Sequence, residues 1–418
     1  MKNLFVSILT IILLFSLQQN GIAQSSKNEL YLTKVATKDS LFSNTFQEIK
    51  NFWIQFPESY NPKSAEKYPV AYILDGSIHL NTVHTVQSYY SGGFFPEMIL
   101  IGISNRTNRT RDLTTSQTKK FQGNEMDENT GGAEKFTQFI ENELIPYIDS
   151  KYATTPYRTL IGHSYAGLFT INTLINHPHL FENYLAIDPS LDWDNQKLLN
   201  EAKIKLQNED YSGKSLFISL NGQLHIQNSA INIENVMQDA SEFTLFARSN
   251  ITFSNIAKQY TKNGLYFEWK FYPKDIHGTI VLPSIMDGLL SIFGWYQMEN
   301  TYKINSFETP KEEIFSIIKN RAKKLQTHFG YPVAPYPEEL LNMSGYMNMD
   351  MQQPEKAKMY FELTIEYYPN SPNAYDSMAD YYESQNDYIN AIKYVSKAYN
   401  LSGNKSYKER LIKLQTEN

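Results

Sequence analysis

A short apolar run, Thr159-Leu160-Ile161, stops abruptly at Gly162-His163-Ser164-Tyr165-Ala166-Gly167, and the residues that follow, to Ile175, have the apolar content of a buried helix. A strand that passes into a helix through so short a polar turn has few conformational solutions. The backbone must turn sharply, and only small neighbours let it do so without collision. The usual spacing is Gly-x-Ser-x-Gly; here Ala166 holds the last place, with Gly167 behind it.

The same helix-to-strand rhythm runs through most of the chain. Residues 43–57 alternate apolar and polar, which predicts an antiparallel edge strand ahead of the turn-rich stretch to 67. Tyr68–Leu74 and Met98–Ile103 are continuous apolar runs separated by a segment of helical length, as buried parallel strands require. Helices are predicted at 133–150, 165–175 and 242–260, and strands at 157–161, 184–187, 215–220 and 266–271. The fold class that follows is α/β, a mostly parallel sheet with helices on both faces.

Beyond about residue 300 only helices are predicted. Thr309-Pro310-Lys311-Glu312 has the form of a capping box with proline at the first helical position. An interval of 34 then matches Gly345 with Ala379, Ala357 with Ala391 and Phe361 with Val395. Small residues let two helices close on each other and bulky ones fill the groove between units, which resembles tetratricopeptide repeats. Two units leave an end uncovered, so the preceding helix or the α/β part is expected to cover it. The expected division is a signal peptide at 1–23, an α/β domain at 24–300, a linker helix at 301–334 and helical repeats at 335–418.

Several function classes are excluded. The chain has no cysteine, which rules out disulfides, thiolate metal sites and a cysteine nucleophile. A net charge of -6 without a long basic run removes the surface that nucleic acid needs. No clustered His, Asp and Glu suggests a metal and no glycine-rich phosphate loop is present, so no cofactor is expected. Ser316-Ile317-Ile318-Lys319 has the Ser-x-x-Lys spacing but lacks its companion motifs. Lys2, an apolar run from about Leu4 to Leu17 and the small residues Gly21 and Ala23 are laid out as a cleaved export signal. A periplasmic or extracellular protein is therefore expected, with no membrane span after cleavage.

A serine held at such a corner is a candidate nucleophile, and it needs a base. His277 follows 113 residues later, just after the last predicted strand, in Asp275-Ile276-His277-Gly278. His163, His177 and His179 are read as structural. Oxyanion donors are expected at the backbone amides of Tyr165 and of Gly76, with Ser77 next to it, after the strand Tyr68–Leu74.

Residues from about 43 to 298 resemble the esterase D family, which includes siderophore esterases, feruloyl esterases and S-formylglutathione hydrolases. The matching stretches are Tyr68-Pro69-Val70-Ala71-Tyr72-Ile73-Leu74-Asp75-Gly76, Ile101-Gly102-Ile103, Arg111-Asp112-Leu113, Glu143-Leu144-Ile145-Pro146-Tyr147-Ile148, Gly162-His163-Ser164, Asp188-Pro189-Ser190-Leu191, and His277-Gly278 with Leu282-Pro283-Ser284. The resemblance implies an α/β-hydrolase fold, a small-molecule ester as substrate, Ser164 as nucleophile and His277 as base. It is closest in pattern to siderophore-esterase-like enzymes. Where the family often has a Trp pair after Pro-Ser-Leu, this chain has Asp192-Trp193.

The third catalytic residue is open at this level. Asn221-Gly222-Gln223, after the strand 215–220, contains no carboxylate. Asp188, at the end of the strand after the nucleophile helix, is the first choice; Asp239 is the alternative, although Asp239-Ala240-Ser241-Glu242 also has the form of a capping box, and a Ser–His dyad without an acid is a third reading. The polar segment 107–132 is expected to border the cleft as a mobile lid, with Arg106, Arg109 and Arg111 facing an acidic or catecholate substrate; a solvated loop accounts for the same charges. Two other functions fit the sequence: a feruloyl or acetyl esterase acting on polysaccharide, and a vestigial hydrolase whose repeats bind a protein partner.

Overall fold

The computed structural model describes residues 35–62, 66–91, 93–121, 124–126 and 129–417, so the signal-peptide segment 1–23 lies outside the described residues. In chain order the strands are β1 (Thr37–Ser43), β2 (Glu48–Gln55), β3 (Tyr68–Ile73), β4 (Ile99–Ile103), the short pair β5 (Lys120–Phe121) and β6 (Asn124–Glu125), β7 (Thr154–His163), β8 (Asn183–Ile187), β9 (Ser215–Asn221) and β10 (Tyr266–Tyr272). β3, β4 and β8 are buried at every residue, which is why their sequences run apolar without alternation. Eight strands form one sheet in the order β1-β2-β4-β3-β7-β8-β9-β10. The β1–β2 and β2–β4 pairings are antiparallel and all later ones parallel. The fold is that of an α/β-hydrolase.

Parallel register aligns the strand ends. Ile73 faces Ile161, His163 faces Ile187, Ile187 faces Ser219 and Asn221 faces Tyr272. Whatever follows each strand therefore emerges along one edge of the sheet, the carboxyl edge where ligands of open α/β sheets bind. The helix Tyr165–Asn176 is buried from Ala166 to Ile175 and packs through Phe169 on Phe136, 5.2 Å between ring centres.

The described residues divide into two compact units, one within 35–89 and 97–288 and the other within 90–96 and 289–417. In the second, the helices Glu338–Asp350 and Pro354–Tyr367 form one hairpin and Pro372–Ser384 and Tyr388–Ser402 another. Ala357, Phe361, Ala379, Ala391 and Val395 are all fully buried, and a side chain at Gly345 would meet the Phe361 ring at 2.4 Å. Ile314 and Ile318 of the helix Lys311–Phe329 pack with Leu341, Tyr360 and Leu363, covering the first hairpin. Leu414 of the helix Lys405–Glu417 packs with Ala379, Ala391 and Val395 on the second.

The structure departs from these expectations at four points, the first being that β1 forms the edge of the sheet, so that β2, within the predicted edge strand 43–57, lies inside it. The helix Trp193–Asn208 was not predicted, although Leu198, Leu199, Ala202 and Leu206 bury one stripe of it. Thr309 does not cap the helix at Lys311: Pro310 stands at the cap, without a side-chain bond. Nor is Asp239 the cap of the helical turn Glu242–Thr244, because Ser241 occupies that position.

Gly162 is a steric requirement of the corner, since a Cβ there would lie 2.2 Å from the Ala166 carbonyl oxygen. Gly278, by contrast, has nothing within 4 Å of the same point. Gly162→Ala should destabilise the first unit by about 1–3 kcal/mol, the usual range for overpacking, while Gly278→Ala leaves its unfolding midpoint unchanged. Thermal scans of both variants check this; equal midpoints would show that the corner has room to relax.

Candidate active site

Ser164 sits at φ 62° and ψ -119°, a conformation that side chains avoid. Three backbone bonds hold it there. Its N–H donates to Ile187 O at 3.0 Å, and its carbonyl accepts from Leu168 N at 2.9 Å and Ser190 N at 3.2 Å. Ser164 Oγ and Ser190 Oγ are 3.4 Å apart. Tyr165 and Gly76 each stand first in a helix, Tyr165–Asn176 and Gly76–Tyr90, where a backbone N–H has no acceptor a turn earlier in the helix. Gly76 is pressed so close to β4 that a Cβ would lie 2.2 Å from Gly102 C.

The loop after β10 carries His277. Its Nδ1 lies 2.6 Å from Asp188 Oδ2. Asp188 follows β8 directly, has no solvent exposure and adopts φ 43°. A buried carboxylate needs donors. Asn221 supplies two, its backbone N–H to Oδ1 at 3.1 Å and its side-chain Nδ2 to Oδ2 at 2.6 Å. With Nδ1–H turned to the carboxylate, His277 presents Nε2 as a proton acceptor. Asp239 is not brought to this cluster: its Oδ1 accepts from the Ser241 hydroxyl, from Ser241 N at 2.7 Å and from Thr244 Oγ1 at 3.0 Å, bonds that hold its carboxyl below the ordinary range.

His163 does more than fill the turn. Its Nε2–H donates to the His277 carbonyl at 2.9 Å, and the two rings lie 4.5 Å apart. Burial, with His277 and then His79 nearby, pushes its pKa down to about 3, so it stays neutral beside the half-buried imidazole of His277. Nothing in the residue pattern signals this bond, since it depends on where the loop after β10 returns. His163, Asp188 and His277 also bring ligand-type atoms within 4.8 Å of one another, but the 2.6 Å contact between Asp188 and His277 leaves no space for an ion between them.

Arg109 and Arg111 are internally committed. Arg109 pairs with Asp75, and Arg111 pairs with Glu48 and Asp112, whose other oxygen accepts from buried Lys50 at 2.7 Å. Arg106 is exposed. The segment expected as a lid is tied down where it is described: Thr118 N donates to Thr130 Oγ1, Gly131 N to Thr114 Oγ1 and Gly132 N to Arg111 O. It brings Phe121 to 4.8 Å from Trp193, which lies 5.3 Å from Tyr165, so an aromatic wall stands beside the serine.

The "Putative esterase" family model matches residues 43–230. Ferri-bacillibactin esterase BesA of Bacillus subtilis is 32% identical over 172 residues, 37% of this chain and 58% of the relative. The siderophore enterobactin esterase of Emericella nidulans is 28% identical over 174 residues, 38% of this chain and 56% of the relative. This chain thus spans little more than half the length of these curated relatives. An IroE-like serine hydrolase from Shewanella oneidensis superposes with a TM-score of 0.64 at 27% identity, covering 79% of this chain and 99% of that one. The chain has the α/β-hydrolase fold and is similar to these siderophore esterases. The region matched by the family model contains Ser164 and Asp188, while His277 lies beyond it.

Because the unfolded chain takes up a proton near pH 6.5 that folded His163 refuses until about pH 3, its contribution to stability is complete above pH 6.5 and lost as pH falls toward 3. His163→Phe should flatten the fall in unfolding midpoint over that window. Parallel midpoint-against-pH curves for the two proteins would contradict the assignment.

Proposed function

We propose that the chain is a serine esterase that hydrolyses a carboxylic ester through an acyl-enzyme at Ser164, and that its substrate is a siderophore-type ester. The observation that carries the reading is the buried Asp188 carboxylate 2.6 Å from Nδ1 of His277, beside the left-handed corner at Ser164. The siderophore esterases among its relatives supply the substrate class.

In this mechanism Ser164 Oγ turns from Ser190 toward the imidazole and attacks the acyl carbon while its proton passes to His277 Nε2. Asp188 stabilises the imidazolium. The tetrahedral oxyanion accepts hydrogen bonds from the Tyr165 and Gly76 amides. Its collapse breaks the bond to the alcohol oxygen, which leaves with the proton from His277. Water, deprotonated by the same imidazole, then attacks the acyl-enzyme; the acid is released and Ser164 regains its proton.

Export belongs to the same proposal and rests on the leader at 1–23. Among the described residues no helix is long and apolar enough to cross a membrane. We assign 24–300 to the esterase domain, 301–334 to a linker helix and 335–418 to tetratricopeptide-like repeats that bind a protein partner.

Ser164→Ala should lower turnover of p-nitrophenyl and siderophore esters on the order of a million-fold and abolish fluorophosphonate labelling. Asp188→Asn should lower kcat roughly ten-thousand-fold, whereas Asp239→Asn leaves it intact. Labelling of the Ser164→Ala protein would remove the nucleophile assignment. Faster cleavage of feruloyl or acetyl esters than of siderophore esters would replace the substrate class, and an unlabelled, inactive wild type would favour the scaffold reading.

A further inference from the structure

We propose that Phe246 is a specificity-determining residue, the surface against which the alcohol half of the ester lies, so that alcohols carrying an apolar or aromatic group are favoured. The proposal rests on the reading that Ser164 and His277 carry an acyl-enzyme mechanism.

Acylation gives the two halves of an ester different neighbours. The acyl carbon bonds to Ser164 Oγ, and as its bond to the alcohol oxygen breaks, that oxygen takes the proton from His277 Nε2. The alcohol oxygen must come within hydrogen-bond reach of the imidazole, so whatever it carries lies against the side chains around His277. Once the alcohol has gone, water takes its place and that surface has nothing to hold. Asp188 stands at Nδ1 of His277, and the His163 ring is 4.5 Å away. Phe246 brings another ring to the imidazole, 5.6 Å between centres with the planes at 89°. It is half-buried, with Leu220, Leu224, Val236 and Ile251 beneath it. Phe243, about one helical turn earlier, is exposed, with its ring 5.1 Å from that of His225, and continues the apolar surface past Phe246.

Phe246 is fixed with respect to both reacting groups. Its carbonyl accepts from Asn250 Nδ2 at 3.0 Å, and the same Nδ2 donates to the Pro189 carbonyl at 2.9 Å. Asn250 is buried. Pro189 lies between Asp188, which orients His277, and Ser190, whose N–H holds the Ser164 carbonyl at 3.2 Å. The start of the helix Leu245–Gln259 is pinned as well: Arg248 donates to Thr244 Oγ1 at 3.0 Å and to Ser241 O at 2.9 Å, and Thr244 Oγ1 donates to Asp239 Oδ1. Asp239, which lies away from the catalytic cluster, thus anchors the helix that presents Phe246. A ring held in place before binding loses little freedom when a ligand covers it. An apolar alcohol gains by burying its surface there, and an aromatic one also by edge-to-face or offset packing.

The test uses the full chain with ethyl butyrate and benzyl butyrate, which share an acyl group, and ethyl phenylacetate, which moves the aromatic ring to the acyl side. Phe246→Ala is expected to lower kcat/KM for the benzyl ester roughly tenfold relative to ethyl butyrate. The ratio of ethyl phenylacetate to ethyl butyrate stays at its wild-type value, and the butyryl-enzyme formed from p-nitrophenyl butyrate is hydrolysed at the wild-type rate. Phe246→Leu keeps apolar bulk without the ring and should lose about threefold of the benzyl preference. Thermal midpoints report folding, and Phe246→Leu carries the test if Phe246→Ala does not fold. An unchanged benzyl preference overturns the proposal. So does an equal loss on all three esters with slower deacylation, which would make Phe246 a support for the imidazole alone, and so does a loss that follows the ring to the acyl side. Ser164→Ala separates the two levels: retained turnover of ethyl butyrate removes the acyl-enzyme reading itself, whereas its loss leaves the Phe246 variants to decide the alcohol surface.

Discussion

Three strands leave the sheet through non-glycine residues held at positive φ: Asp75 at 51°, Ser164 at 62° and Asp188 at 43°. Such conformations cost roughly 1–3 kcal/mol each and persist only where their surroundings over-determine them. Here the sheet does so. Asp75 N is bound by Asn105, Ser164 N by Ile187 O, and Asp188 N by Ser219 O at 3.1 Å. Two of these acceptors belong to the neighbouring strand, so the strain at each corner is held by the register of the next. A slip of one residue between β7 and β8 would remove the bond that keeps Ser164 at its corner and turn the strand's side chains to the opposite face.

The same edge solves a second problem, the burial of a charge. Asp188 has no contact with solvent, and a lone carboxylate there would be expelled or protonated. Asn221, at the end of β9, offers two N–H donors to it, and His277 a third. Position 221, just after the strand where an acid is expected, thus holds the acid's donor. A second carboxylate at 221 would repel the first across the same space; an amide satisfies it.

Much of this was legible in the residues. Continuous apolar runs identified β3, β4 and β8 because burial on both faces leaves no polar positions to confuse the pattern. The interval of 34 identified the helical hairpins because close approach admits only Gly345, Ala357, Ala379 and Ala391 at its tightest points. The choice between Asp188 and Asp239 was not decided by sequence, since it depends on which loop His277 returns to. The helix Trp193–Asn208 was missed because its first turn departs from helical periodicity: Asp194, Asn195 and Gln196 lie at φ 48°, 54° and 62°. Arg109 and Arg111 were offered to substrate because charge in a polar segment looks free until its partners, Asp75 and Glu48, are brought up from far away in the chain.

That irregular first turn also bears on the cleft. Trp193 donates its indole N–H to Ser116 O at 3.3 Å, and Asp194 accepts from Ser116 Oγ at 2.5 Å, so the turn after β8 grips the segment that carries Phe121. Gln196 bonds Ser249 Oγ at 2.8 Å and ties the same turn to the helix Leu245–Gln259. Left-handed backbone at three successive residues costs about 1–2 kcal/mol each, and these bonds are what hold it. The aromatic wall of Phe121, Trp193 and Tyr165 is accordingly set before any ligand arrives. A wall fixed in this way discriminates by the shape of what lies against it, because rigid rings neither close on a small acyl group nor withdraw from a large one.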